Sequence, residues 1–126
     1  MGEITIYGNV PSSKNSKRIV HVRGRTLILN SKFAETYIKK TAIQWDLNRN
    51  NFTNLIKNKT KPYKIEFQFI RETKHRFDFV NLCQLPLDLM TKYNWIDDDD
   101  YKNVIPVINP EVIFDKKNAG IKIKVL

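Results

Sequence analysis

Acidic side chains are scarce in this 126-residue chain: 13 Asp and Glu stand against 22 Lys and Arg, leaving a net charge of +9. Such a balance favours nucleic acid or another polyanion as partner through the long-range field, or else marks a chain that is simply basic and soluble. Cysteine is nearly absent. With Cys83 alone there is no intramolecular disulfide and no cysteine zinc site, and a reducing, cytoplasmic location fits. No apolar run approaches the roughly 20 residues needed to span a bilayer. The start MGEITIYGNV lacks the basic n-region and apolar core of a signal peptide, and Ile6 stands where myristoylation prefers Ser or Thr, so no membrane attachment is expected. Neither an internal repeat nor a domain boundary is visible. The length suits one hydrophobic core and is too short for two ordinary domains, so residues 1–126 are read as a single domain.

The scarce acid is not evenly spread. Asp78, Asp88 and the run Asp97-Asp98-Asp99-Asp100 place six of the 13 acidic residues in one short span. Carboxylates held together repel one another unless a cation or hydrogen bonds offset the charge. Their concentration within a basic chain therefore points to a bound divalent metal, with the basic remainder bringing an anion to it.

Taken in order, Glu3 to Val10 alternates as a strand, with Ile4, Ile6 and Gly8 on one side. Pro11 to Arg18 is a loop. Its hydroxyls, Asn15, Lys14, Lys17 and Arg18 are the donor types that contact phosphate oxygens, and a solvated turn is the alternative reading. Arg18–Val22 and Thr26–Leu29 form a hairpin through Arg23-Gly24-Arg25, with His21 as a structural histidine. A helix starts at Ser31, its N-cap, and buries Ala34, Tyr37, Ile38, Thr41, Ala42 and Trp45; Lys39 and Lys40 fall outside that stripe. Asn48 to Lys61 reads as a connector that tucks Phe52 and Leu55-Ile56 into the core. Tyr63 to Arg71 is a strand with Ile65, Phe67 and Phe69 on one face. Val104 to Ile108 is another, and Pro106 puts it at an edge or bulge. Glu111–Phe114 and Ala119–Leu126 are expected to close a final hairpin around residues 115–118.

A second main helix spans Asp78 to Tyr93. At about 100° per residue, Asp78, Asn81, Gln84 and Asp88 share one polar arc of an otherwise apolar helix, and Pro86 should bend it. The macrodipole alone would favour Asp78 at the N-terminus, but it gives Asn81 and Asp88 no reason to share its arc. In the run 97–100, alternate side chains point to opposite faces, so one or two should turn toward the helix stripe and the rest toward water. The run lacks the glycine and distal Glu of an EF-hand. A solvated acidic turn is its bland reading.

Pro11-Ser12-Ser13-Lys14-Asn15, then Arg76-Phe77-Asp78-Phe79-Val80-Asn81, then Asp88, then Trp95-Ile96-Asp97-Asp98-Asp99 with a strand after it, together resemble the RusA family of Holliday-junction resolvases. The likeness spans most of the chain. It implies a small α+β fold, with two main helices on a small mixed sheet, acting as a homodimer that cuts four-way DNA junctions symmetrically with Mg²⁺, or alternatively Mn²⁺, in recombination and repair. The family pattern is Asp-x-Asp-Asn-x-x-Lys with an acidic pair further on. Asp78 matches the first Asp, Asn81 the Asn, and Asp98-Asp99 the pair, with Asp97-Asp98 as the other register. By that resemblance Asp78, Asp98 and Asp99 hold metal and carry catalysis, while Lys14, Asn15, Lys17, Arg18, Lys74 and Arg76 hold DNA. Val80 and Gln84 depart from the pattern. Valine cannot ligate a metal and Gln carries no positive charge, so either Asp88, Asp97 or Asp100 supplies the missing oxygen or the protein binds junction DNA with little cleavage.

Overall fold

The computed structural model describes residues 2–12 and 17–126, with the backbone alone for 17–20 and 27–30. In chain order the elements are β1 (Glu3–Tyr7), β2 (Lys17–Val22), β3 (Arg25–Asn30), α1 (Lys32–Leu47), α2 (Arg49–Leu55), β4 (Tyr63–Arg71), α3 (Phe79–Lys92), β5 (Val104–Ile108), β6 (Ile113–Phe114) and β7 (Gly120–Val125). The main sheet runs β1-β7-β4-β5, with β6 pairing β4 beyond the end of β5. Strands β1 and β4 flank β7 in antiparallel pairs, whereas β5 and β6 lie parallel to β4. The expected α+β fold with a mixed sheet is therefore what the chain adopts.

Alternation along the strands decides where the core sits. Ile4, Ile6, Ile65, Phe67, Phe69, Ile121 and Ile123 are all buried, and the register sets Ile4 and Phe67 on either side of Ile123. The intervening rows are polar. On that face Lys122 and Lys124 both approach Glu3, at 4.0 and 3.7 Å. The helices cover the apolar face: Ala34, Tyr37 and Trp45 of α1, Phe52 of α2 and Leu82, Leu89 and Met90 of α3 join one buried cluster with the sheet. Each fully buried Leu, Ile or Phe contributes about 1.5–3 kcal/mol, so this single interface dominates the stability.

Local signals account for the ends of the elements. Ser31 caps α1 by accepting a 3.1 Å hydrogen bond from Ala34 N–H. The β2–β3 ribbon turns through Arg23 and Gly24, both at positive φ, as a two-residue hairpin requires. Its His21 is paired across the strands with Thr26 at 3.3 Å. Among the described residues, strand β5 has a partner on one side only. Asn109 N–H reaches Phe67 O, so by alternation the nitrogen of Pro106 faces the free edge, where its missing N–H blocks pairing with another strand.

Two expectations are corrected. The segment 48–61 is not merely a connector, because it contains α2. Its Asn-rich sequence is weakly helical by propensity, and the turn is held by Phe52, which is buried and stacks on Trp95 at 5.1 Å. Nor do 111–114 and 119–126 form a hairpin. Strands β6 and β7 lie on opposite sides of β4, since β4 is apolar enough to sit between two neighbours and periodicity does not say which strand pairs with which.

Candidate functional site

Helix α3 carries the acidic stripe that the sequence suggests. It is continuous through Pro86, whose ring is buried, and most of its circumference faces the core. Asp78 is its N-cap residue, yet its carboxylate makes no capping bond to the helix N–H groups. Its Oδ2 instead accepts from Asn81 Nδ2 at 3.2 Å. A capping Asp ordinarily contributes about 0.5–2 kcal/mol, and Asp78 withholds that bond and keeps an exposed carboxylate. One stripe along, Gln84 Nε2 donates to Asp88 Oδ1 at 2.9 Å. Ten residues at 1.5 Å each separate Asp78 from Asp88 by about 15 Å along the axis.

The acidic turn is anchored from behind. Helix α3 ends in a Schellman motif: Asn94 adopts a positive φ, Asn94 N–H reaches Thr91 O, and Trp95 N–H reaches Met90 O. Trp95 then plugs into the helical layer. Its indole N–H donates to Trp45 O at 2.7 Å, and its ring meets Trp45 and Phe52 at 5.1 Å each. Trp45 is fixed in turn by Thr41 Oγ1, which accepts its indole N–H at 3.0 Å and donates to Tyr37 O. With Trp95 and Ile96 buried, the next four aspartates emerge at the surface.

These four have separate tasks. Asp97 pairs with Lys61. Asp100 accepts from Lys102 N–H and Asn103 Nδ2, closing the turn into β5. Asp98 Oδ1 accepts from Asp99 N–H at 2.8 Å. Asp99 is the half-buried one. Partial burial, its bond with Asp98 and the nearby charges of Asp88 and Asp98 hold its carboxyl above the usual range. Asp99 is thus the one partly buried member of the run, with the charge of Asp88 acting on it, while Asp97, Asp98 and Asp100 are exposed.

Oxygen donors of this kind suit Mg²⁺ or Mn²⁺, and the charges of Asp88 and Asp98 both act on Asp99. Among the described residues, however, no three His, Cys, Asp or Glu side chains converge closely enough to hold one ion. The donor chemistry fits a hard cation, and convergence on it would require these side chains to rotate. Asp78 is not among the charges that act on Asp99 and belongs to the other end of the stripe.

At that other end lies a cleft of about 660 Å³ lined by Ser12, Lys74, His75, Arg76, Phe77, Asp78 and Phe114. Arg71 lies behind its lining residue Phe77. Buried at the end of β4, its guanidinium donates to Val10 O and lies 5.0 Å over the Phe77 ring, so it ties the segment before Ser12 to the segment before Asp78. Burial lowers its pKa somewhat, against the opposing effect of Glu72. Phe77 packs edge-on against Phe79 at 5.4 Å, and Lys74 extends over Phe114 at 5.7 Å. The cleft therefore presents exposed cations on an aromatic rim, with one exposed carboxylate at its edge.

Of the residues singled out for DNA, Lys74 and Arg76 meet in this cleft. Lys14 and Asn15 lie outside the described residues, as do the side chains of Lys17 and Arg18. Val80 is 80% exposed beside Asp78. Sequence reading missed Arg71, hidden in an apolar strand, and Phe114, placed by the pairing of β6 with β4. It also assigned no role to Arg23 and Arg25, which are exposed at the tip of the β2–β3 ribbon. No protein-family model matches the chain and no curated protein matches it, so the resemblance to the RusA family rests on its motifs alone.

Proposed function

We propose that this protein is a metal-dependent, structure-specific endodeoxyribonuclease that binds four-way DNA junctions and hydrolyses their backbone. One observation carries the reading. The uncapped Asp78 carboxylate opens onto the Lys74–Arg76 cleft, on the same helical stripe that leads to Asp88 and Asp99. Cations that bind phosphate thus adjoin carboxylates with no structural need to be there.

Lys74 and Arg76 would hold phosphate oxygens and fix the backbone in register. Asn81 orients Asp78 from one turn along, and Gln84 orients Asp88. Asp88, Asp98 and Asp99 are the residues that would hold Mg²⁺, which when bound polarises a phosphate and lowers the pKa of its water. Symmetric cutting of two strands needs two copies of the site, so a two-fold homodimer goes with this reading. A cytoplasmic location, where DNA and a reduced Cys83 coexist, belongs to the same proposal.

A second reading has its own support. Val80 is exposed where the resembling pattern has its second Asp, and Gln84 is engaged with Asp88 where the pattern has Lys. A protein with these replacements would bind junctions and cleave them poorly.

Incubating the purified protein with a labelled four-way junction, with and without Mg²⁺, separates the two. The nuclease reading expects paired nicks only with metal, reduced about 100-fold or more in Asp98→Asn. Tight binding without nicks would establish the second reading. Undiminished nicking by Asp98→Asn would remove that residue from the mechanism.

A further inference from the structure

A second cleft, of about 280 Å³, lies where α1, the chain after β1 and the β6–β7 turn meet. Lys40 reaches it from α1, and Lys116 and Lys117 from the turn. All three are exposed, and none has an ion pair or hydrogen-bond partner for its ammonium group among the described residues. This sets them apart from Lys61, Lys122 and Lys124, which lie against carboxylates. Glu72 is the one carboxylate lining the cleft among the described residues, and its charge offsets part of the lowering that burial imposes on the Arg71 guanidinium beside it in the chain. The lining keeps a surplus of positive charge.

The backbone under these lysines is tied down. Gln44 bonds both the N–H and the carbonyl of Tyr7, at 2.7 and 2.8 Å, which fastens α1 to the end of β1. Gly8 N–H donates to Ala119 O at 2.8 Å. Asp115 accepts from Lys117 N–H, Asn118 N–H and Asn118 Nδ2, so the turn carrying two of the lysines has a set shape. Asn9 Oδ1 accepts from Glu72 N–H and joins the remaining wall. Three unpartnered cations thus surround one hollow on a fixed frame.

The hollow also adjoins the cleft at Asp78. Asn9 and Ser12, Glu72 and Lys74, and Lys116 and Phe114 are pairs on three chain segments, the first of each lining the second cleft and the other lining the first. Two or three residues span at most about 10 Å. An interval of that size is covered by a few consecutive nucleotides of one strand.

We propose that Lys40, Lys116 and Lys117 form a second phosphate-binding site, which takes phosphodiester groups of a nucleic-acid strand continuing from the Lys74–Arg76 cleft. The phosphate chemistry stands on the cleft itself, while the nucleic-acid source rests on the function proposed above.

The test titrates a labelled four-way junction with the wild type and with the triple variant Lys40→Gln, Lys116→Gln, Lys117→Gln across a range of salt. Each phosphate that the protein no longer neutralises reduces the slope of log K against log salt by about 0.9, so the triple variant should bind with a slope smaller by about 2–3. An unchanged slope in a triple variant that still binds DNA would overturn the site. Should the wild type bind no DNA, the proposed function falls, and pyrophosphate decides the cleft alone. Amide NMR shifts at Gly8, Gln44 and Ala119 that appear in the wild type and vanish in the triple variant keep it as a phosphate site. No shift in the wild type removes it.

Discussion

Asp99 shows how one residue can report the chemistry of a whole turn. Burial and the carboxylates around it raise its affinity for a proton in the folded state. A carboxyl so shifted contributes most to folding when protonated, and that contribution is lost as pH rises through the raised value. Ionised Asp99 therefore destabilises the fold at neutral pH. Replacing Asp99 with Asn should raise the thermal midpoint at neutral pH, and the gain should shrink below the ordinary carboxylate pKa of about 3.9. Thermal unfolding at the two pH values checks it, and a gain that grows in acid would contradict the account. Cys83 is shifted in the same sense: burial pushes its thiol up to about 11, so it stays protonated and unreactive in the folded protein. Thiol-specific labelling at neutral pH should proceed only as the chain unfolds.

Among the elements, the site depends on two anchors that carry none of its chemistry. Trp95 joins the end of α3 to α1 and α2 through its bond to Trp45 O and its packing on Trp45 and Phe52. Truncation to Ala should cost about 3–5 kcal/mol, measured by denaturant unfolding. Trp95→Phe, which keeps most of the packing and removes the indole bond, should cost about 1 kcal/mol from that bond. Arg71 is the corresponding anchor for the basic cleft. Its hydrogen bond to Val10 O and its position over Phe77 predict a loss of about 2–3 kcal/mol in Arg71→Ala. The helices were legible because each signal is local: Ser31 with Ala34 at one end of α1, and the apolar circumference of α3. Helix α2 was not, because Phe52 is held by Trp95, far away in sequence. The closing hairpin was misread for a related reason, since β6 finds β4 rather than the strand next to it in the chain.

For the molecule as a whole, the net charge of +9 is distributed so that acid and base meet at the N-terminal end of α3 rather than mix evenly. If DNA binding engages six to ten phosphates, affinity should fall by about 10³- to 10⁵-fold between 50 and 200 mM salt. Anisotropy titrations at the two concentrations measure this directly, and a salt-insensitive affinity would argue against a backbone-binding surface.

The order of residues alone was enough for the α+β class, the apolar faces of β1, β4 and the two long helices, and the membership of an acidic stripe. Each follows from a period of two or 3.6 residues that is complete within one segment. Which of those acids meet was left to packing in three dimensions. Helical phase put Asp78 and Asp88 on one stripe, but rise along the axis separates them, and with Trp95 anchored it is Asp88, not Asp78, whose charge acts on Asp99. The second lysine cleft was likewise invisible in the chain, because Lys40 and Lys116 are gathered by strand pairing and by the bond of Gln44 to β1. Periodicity records which way a side chain points, while the neighbour it finds is set by packing between segments distant in sequence.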